Sequence, residues 1–142
     1  LSIYTILIAF IPMLMNTGGI AGSQTSTLII RGMAVGEISK RDIFVILWKE
    51  IRVGVLCGIG LGLVNFIRIF IMNNMDVMLC FTITLSLFCT ILVSKITGSL
   101  LPIFAKRIKI DPAIMSAPLL TTIVDAVSLI IYFSIARLLY IS

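Results

Sequence analysis

Histidine is absent from the 142 residues, and acids are scarce, with six Asp and Glu against eleven Lys and Arg. The three cysteines, Cys57, Cys80 and Cys89, sit inside apolar runs with no CxxC or CxxH spacing. A zinc or iron–sulfur site therefore has no ligand set, and the cysteines read as small apolar fillers. Catalysis would want paired carboxylates, a histidine or an activated nucleophile, so no enzyme is expected. Charge is scarce altogether, at 12% of residues where a soluble domain carries about 25%. The chain starts with Leu in an apolar segment, without the basic start and small-residue cleavage site of a signal peptide. No soluble linker or low-complexity stretch interrupts it.

What fills the chain is hydrocarbon. Apolar residues make up 60%, and mean hydropathy is +1.22. Four apolar segments are legible, at about 3–30, 51–72, 77–104 and 118–141, each long enough to cross a bilayer core of about 30 Å as a helix. The expected fold class is all-α, a polytopic transmembrane helix bundle with the whole chain as one membrane domain. In the second segment Gly54, Gly58 and Gly62 recur every fourth residue, which makes a groove for close approach of another helix.

The net charge of +5 does not point to nucleic acid, because the basic residues cluster between apolar segments as they do in cytoplasmic loops. Arg31, Lys40, Arg41, Lys49 and Arg52 flank the first connection, and Lys106, Arg107 and Lys109 the third. Connections 31–50 and 105–111 are therefore expected in the cytoplasm and both termini on the outer side. An outside start suggests a missing upstream helix, hence an odd number of spans in a longer parent protein. Lys95, near the end of the third segment, is expected to snorkel towards the cytoplasmic surface.

Five of the six acids, Glu37, Asp42, Glu50, Asp76 and Asp111, fall in or near connections; Asp125 lies within the fourth apolar segment. At about 100° per residue, Ala117, Thr121, Asp125, Ser128 and Tyr132 share an arc of roughly 80°. A polar stripe inside a bilayer should face protein or water, either as glue to a neighbouring helix or as part of an ion path. The first segment offers a facing wall, because Asn16, Gly19, Ser23, Ser26 and Thr27 fall within about 100° of one another. Gly18, Gly19 and Gly22 serve either a packing seam or a loosened backbone lining a cavity. Asp111-Pro112 reads as a helix start, broken again at Pro118. One Asp per chain with hydroxyls and carbonyls suits a hydrated magnesium ion better than a bare one. On chemistry alone calcium, manganese, cobalt, sodium and protons stay open.

These residues also carry a family resemblance. Ile11-Pro12-Met13-Leu14-Met15-Asn16-Thr17-Gly18-Gly19, then Gly22-Ser23-Gln24 and Thr27-Leu28-Ile29-Ile30-Arg31-Gly32, resembles the second membrane helix of MgtE-type magnesium transporters. Asp111-Pro112-Ala113, Pro118, Thr121-Thr122, Asp125 and Ile131-Tyr132-Phe133 resembles the last, and Glu37 and Lys49-Glu50 match between helices. The resemblance implies a homodimeric magnesium channel of the plasma membrane, its pore on the dimer axis. Asp125 would bind hydrated Mg2+, the transported ion, assisted by backbone near Thr121. Asn16, Gly18, Gly19, Ser23, Thr27, Ala117, Thr122 and Ser128 are the further pore-lining candidates. The family's five-helix domain follows cytoplasmic CBS gating domains, and this chain matches its last four helices. Two positions depart from the pattern: Ile20 replaces the usual Asn after the Gly-Gly pair, and Ala117 a polar residue before Pro118. The alternatives are a non-conducting remnant, a transporter of another divalent ion such as cobalt, and a coupled secondary transporter.

Overall fold

The computed structural model describes residues 3–73, 76–112 and 117–140. Its helices are α1 (Ile3–Ala9), α2 (Ile11–Ala34), α3 (Ile43–Asn73), α4 (Val77–Arg107) and α5 (Ala117–Tyr140), with a 3-10 turn at Lys40–Asp42. Among the described residues no strand occurs. Four spans are long and apolar enough to cross a membrane, α1 and α2 counting together as one. The chain is a multi-pass membrane protein.

Pro12 explains the break between α1 and α2. Proline has no N–H to donate and its ring crowds the carbonyl four residues back, so the helix is interrupted just before it and restarts with Pro in its first turn. The Leu7 carbonyl, released from the regular ladder, accepts from the Phe10 N–H at 3.3 Å and from the buried Tyr132 hydroxyl at 2.7 Å. α1 is thereby tied to α5. At the other end α2 stops on Gly36 at φ +81°, where Gly36 N–H returns to Met33 O and Glu37 N–H to Gly32 O. α4 stops by the same bonds, Lys109 N–H to Lys106 O and Ile110 N–H to Ala105 O, with Lys109 in the left-handed region at φ 62°.

α4 is the axis of the bundle. Thr82, Ser86, Thr90, Ser94, Gly98 and Pro102 recur every fourth residue along it, and all are buried. Small side chains on one face let neighbours come close, and two of their hydroxyls bond within the helix: Thr82 donates to Met78 O and Ser86 to Thr82 O. α2 crosses where the Gly98 α-carbon meets the Gly22 carbonyl, a contact with no room for a Cβ. On the opposite side the glycine groove of α3 finds its partner in α4. Gly54 packs on Leu92 and Lys95, Gly58 on the Phe88 ring and Gly62 on Thr84.

α3 leans on α4, and Phe44, Val45, Trp48, Leu56, Leu63, Val64 and Ile71 of α3 are exposed. Soluble monomers rarely expose an apolar face of this extent, and hydrocarbon is its natural solvent. Arg52 lies 5.9 Å from the Trp48 ring centroid, an amphipathic pair of the kind that seats a helix at the membrane surface.

The second segment starts at Ile43, not near 51, so the first connection narrows from 31–50 to 35–42. Lys49, Glu50 and Arg52 suggested a loop edge, yet 43–48 is apolar and continues the helix. Glu50 and Lys95 depart furthest from expectation. Both are 7% exposed, and Lys95 Nζ lies 3.5 Å from Glu50 Oε2. Lys95 is therefore not snorkelling: its charge is met inside the bundle. Pro118 is the second residue of α5, where a missing N–H costs nothing, and the short helix expected before it falls largely on 113–116, outside the described residues.

Candidate cation groove

α2 and α5 pack closely because Gly19 faces Thr121; a Cβ on Gly19 would lie 3.2 Å from Thr121 Cγ2. Along that contact the two helices line an open groove of about 780 Å³. Its wall on α2 is Met15, Asn16, Gly19, Ile20, Ser23, Gln24, Thr27 and Leu28; its wall on α5 is Thr121 and Asp125. A water occupies about 30 Å³ of liquid, so an ion with six waters fits several times over.

Asp125 gives the groove its charge. The side chain is half-buried, and its Oδ1 is fully enclosed with no hydrogen-bond partner among the described residues. A buried carboxylate oxygen without a donor is costly, and it is one that a cation or its water shell would relieve. Around it stand neutral oxygen and nitrogen groups: the Asn16 and Gln24 amides and the Ser23, Thr27 and Thr121 hydroxyls. Thr27 already donates to Ser23 O at 2.8 Å, which leaves its oxygen lone pairs available as acceptors. Among the described residues no group of three or more His, Cys, Asp or Glu could cage a bare metal. The donor set is that of a receptor for a solvated ion.

Of the residues singled out in the sequence, Asn16, Gly19, Ser23, Thr27, Thr121 and Asp125 come together here. Gly18 does not: it turns into the bundle against Thr90, Ser94 and Ser128. Ser128 is 2% exposed and donates to Val124 O. Thr122 is exposed beside the groove and donates to Pro118 O. The Ala117 side chain lies outside the described residues. The α5 stripe thus splits, its first part in the groove and Ser128 and Tyr132 in the core, because α5 packs on α4 as well as α2. The sequence reading missed Met15, Gln24 and Leu28 as lining residues. Gln24 and Leu28 stand at about 80° and 120° from Asn16 round α2, so a wider arc would have included them.

The structure is that of a multi-pass helical membrane protein with a lone acid on the wall of a groove between two of its spans. The chain is a member of the MgtE family, whose model, described as a divalent cation transporter, matches residues 11–135. It is 34% identical over 131 residues to the magnesium transporter MgtE of Bacillus subtilis, an alignment covering 89% of this chain and 28% of that protein. Against the Thermus thermophilus magnesium transporter MgtE the identity is 35% over 135 residues, covering 95% and 30%. Against that of Enterococcus faecalis it is 31% over 134 residues, covering 94% and 29%. The chain spans under a third of the length of these curated relatives.

Proposed function

We propose that the α2–α5 groove is one wall of a pore that conducts hydrated magnesium across the plasma membrane, with Asp125 binding the ion through its water shell. The observation that carries this reading is the enclosed, unpartnered Asp125 oxygen in a groove roomy enough for a hydrated ion. Magnesium is the fitting cargo, because it keeps its waters and asks few carboxylates of the protein. The names of the relatives point the same way. A groove open on one side is half of a conduit, so a second copy facing the first completes it and brings two Asp125 carboxylates to one axis. The basic residues at and around the connections 35–42 and after Arg107 favour a cytoplasmic side for those connections, with the N-terminal end of α2 and the C-terminal end of α5 outside.

Asp125→Ala and Asp125→Asn are expected to abolish magnesium uptake and magnesium-dependent growth rescue while membrane insertion stays normal. Uptake at the unsubstituted level by the Asp125→Ala protein would sink the proposal. Transport of cobalt but not magnesium by the unsubstituted protein would correct the ion and keep the pathway.

A further inference from the structure

Behind the groove, on the far side of α2, three helices each contribute one polar group to a closed ring. Thr25 of α2 donates from Oγ1 to Glu50 Oε2 of α3 at 2.9 Å. Lys95 of α4 donates from Nζ to the same Thr25 oxygen at 3.2 Å and faces Glu50 Oε2 at 3.5 Å. Thr25 is 0% exposed, so this ring is not a surface ion pair traded against water. Counting about 1.5 Å per residue, the ring lies roughly 10–20 Å in from the cytoplasmic ends of its helices. Isolated charges at such depth are costly, and they occur where they are paired and have a role.

The position of Thr25 suggests what the ring does. At about 100° per residue it stands roughly 160–180° round α2 from Asn16, Ser23 and Thr27. A helix held at one point on its back has its front aimed. α2 meets α4 at glycines and small residues, Gly18 against Thr90 and Ser94 and Gly22 against Gly98, a smooth contact with few side chains to oppose rotation. The ring supplies the missing directional contact. It also cancels the Lys95 charge, which would otherwise stand near Gln24 and Ile20, residues that line both the cation groove and the smaller cavity beside Lys95.

We infer that Thr25, Glu50 and Lys95 are positioning residues that lock the rotation of α2, so that its polar face is presented to the cation, and that Glu50 neutralises Lys95 behind the pathway. The inference rests on the groove being the cation path. A carboxylate, a hydroxyl and an ammonium satisfy one another here, and removing one charged member strands the other in a low-dielectric interior. Stranding is a stronger perturbation than removing both charges together, which distinguishes a charge-balanced lock from simple packing.

The test uses the full chain in membrane vesicles and two readouts. The first involves no transport: labelling by a water-soluble thiol reagent of Ser23→Cys, on the groove face, and Ala21→Cys, on the buried face, corrected for the parent with its native Cys57, Cys80 and Cys89. The lock predicts that Glu50→Gln lowers Ser23→Cys labelling at least threefold and raises that of Ala21→Cys. Glu50→Gln combined with Lys95→Met restores the original pattern, because the amide that replaces the carboxylate still accepts from Thr25 and no charge is left stranded. The second readout is magnesium uptake per folded molecule, expected to fall at least tenfold in Glu50→Gln and to recover to within about threefold in the double variant. If Glu50→Gln does not fold, Lys95→Met and the double variant carry the same comparison. An unchanged labelling pattern in the single variants, or a double variant as impaired as they are, overturns the lock. Absence of Ser23→Cys labelling in otherwise unsubstituted protein overturns the groove reading and the lock with it.

Discussion

Lys109 holds a backbone conformation that costs an L-residue roughly 1–2 kcal/mol, because its Cβ crowds the neighbouring carbonyl. Glycine escapes that cost but surrenders about 0.4–1 kcal/mol of extra freedom in the unfolded chain. The first effect is the larger, so Lys109→Gly is expected to stabilise the protein by roughly 0.5–1 kcal/mol, read as a raised melting midpoint in detergent. Gly36, in the same role at the end of α2, already has that advantage, and Gly36→Ala should move the midpoint the other way. At this scale the sequence is readable where a residue is anomalous in its own segment. Asp125 stands out as a lone acid in an apolar run. Glu50 does not, because Lys49 and Arg52 flank it. Lys95, though alone in its apolar run, reads as a side chain that reaches for the surface; what cancels each lies on another helix. Their pairing is a tertiary fact, invisible to any window along the chain.

Between elements, packing depends on glycines that face specific neighbours. A Cβ at Gly58 would come within 2.6 Å of the Phe88 ring, whereas at Gly60, two residues on, nothing lies within 4 Å. Gly58→Val is therefore expected to cost about 1–3 kcal/mol through overpacking. Gly60→Val should be close to neutral, and thermal melts of the two variants in detergent check the difference. The four-residue spacing announced the groove in advance, but a spacing names no partner. That α4 fills it follows from Thr84, Phe88 and Leu92 standing at the matching interval, a register evident once the hairpin is closed. The number of spans was legible from hydropathy alone. The start of α3 and the split at Phe10 were not, because charge and proline act on helix ends through contacts that composition does not carry.

Over the whole molecule, the groove and the apolar face of α3 lie on different flanks, and they call for different surroundings. Leu28, 62% exposed on the rim of the groove, is expected to meet a second copy. Leu28→Cys should form a disulfide-linked dimer in oxidised membranes, above the background of the native cysteines. Val64→Cys, 67% exposed on α3, should not. Dimers formed through Val64→Cys and none through Leu28→Cys would reverse the assignment of pore and lipid flanks. The buried ring of Thr25, Glu50 and Lys95 has a bearing on biogenesis as well. The chain is made from its N-terminus, so Glu50 emerges before the lysine that neutralises it. Until α4 arrives, α3 must keep that acid near the headgroups, and its entry into the bilayer is provisional. Completion of α4 delivers the countercharge and the ridge that fills the glycine groove, so the two helices commit to the membrane as a hairpin.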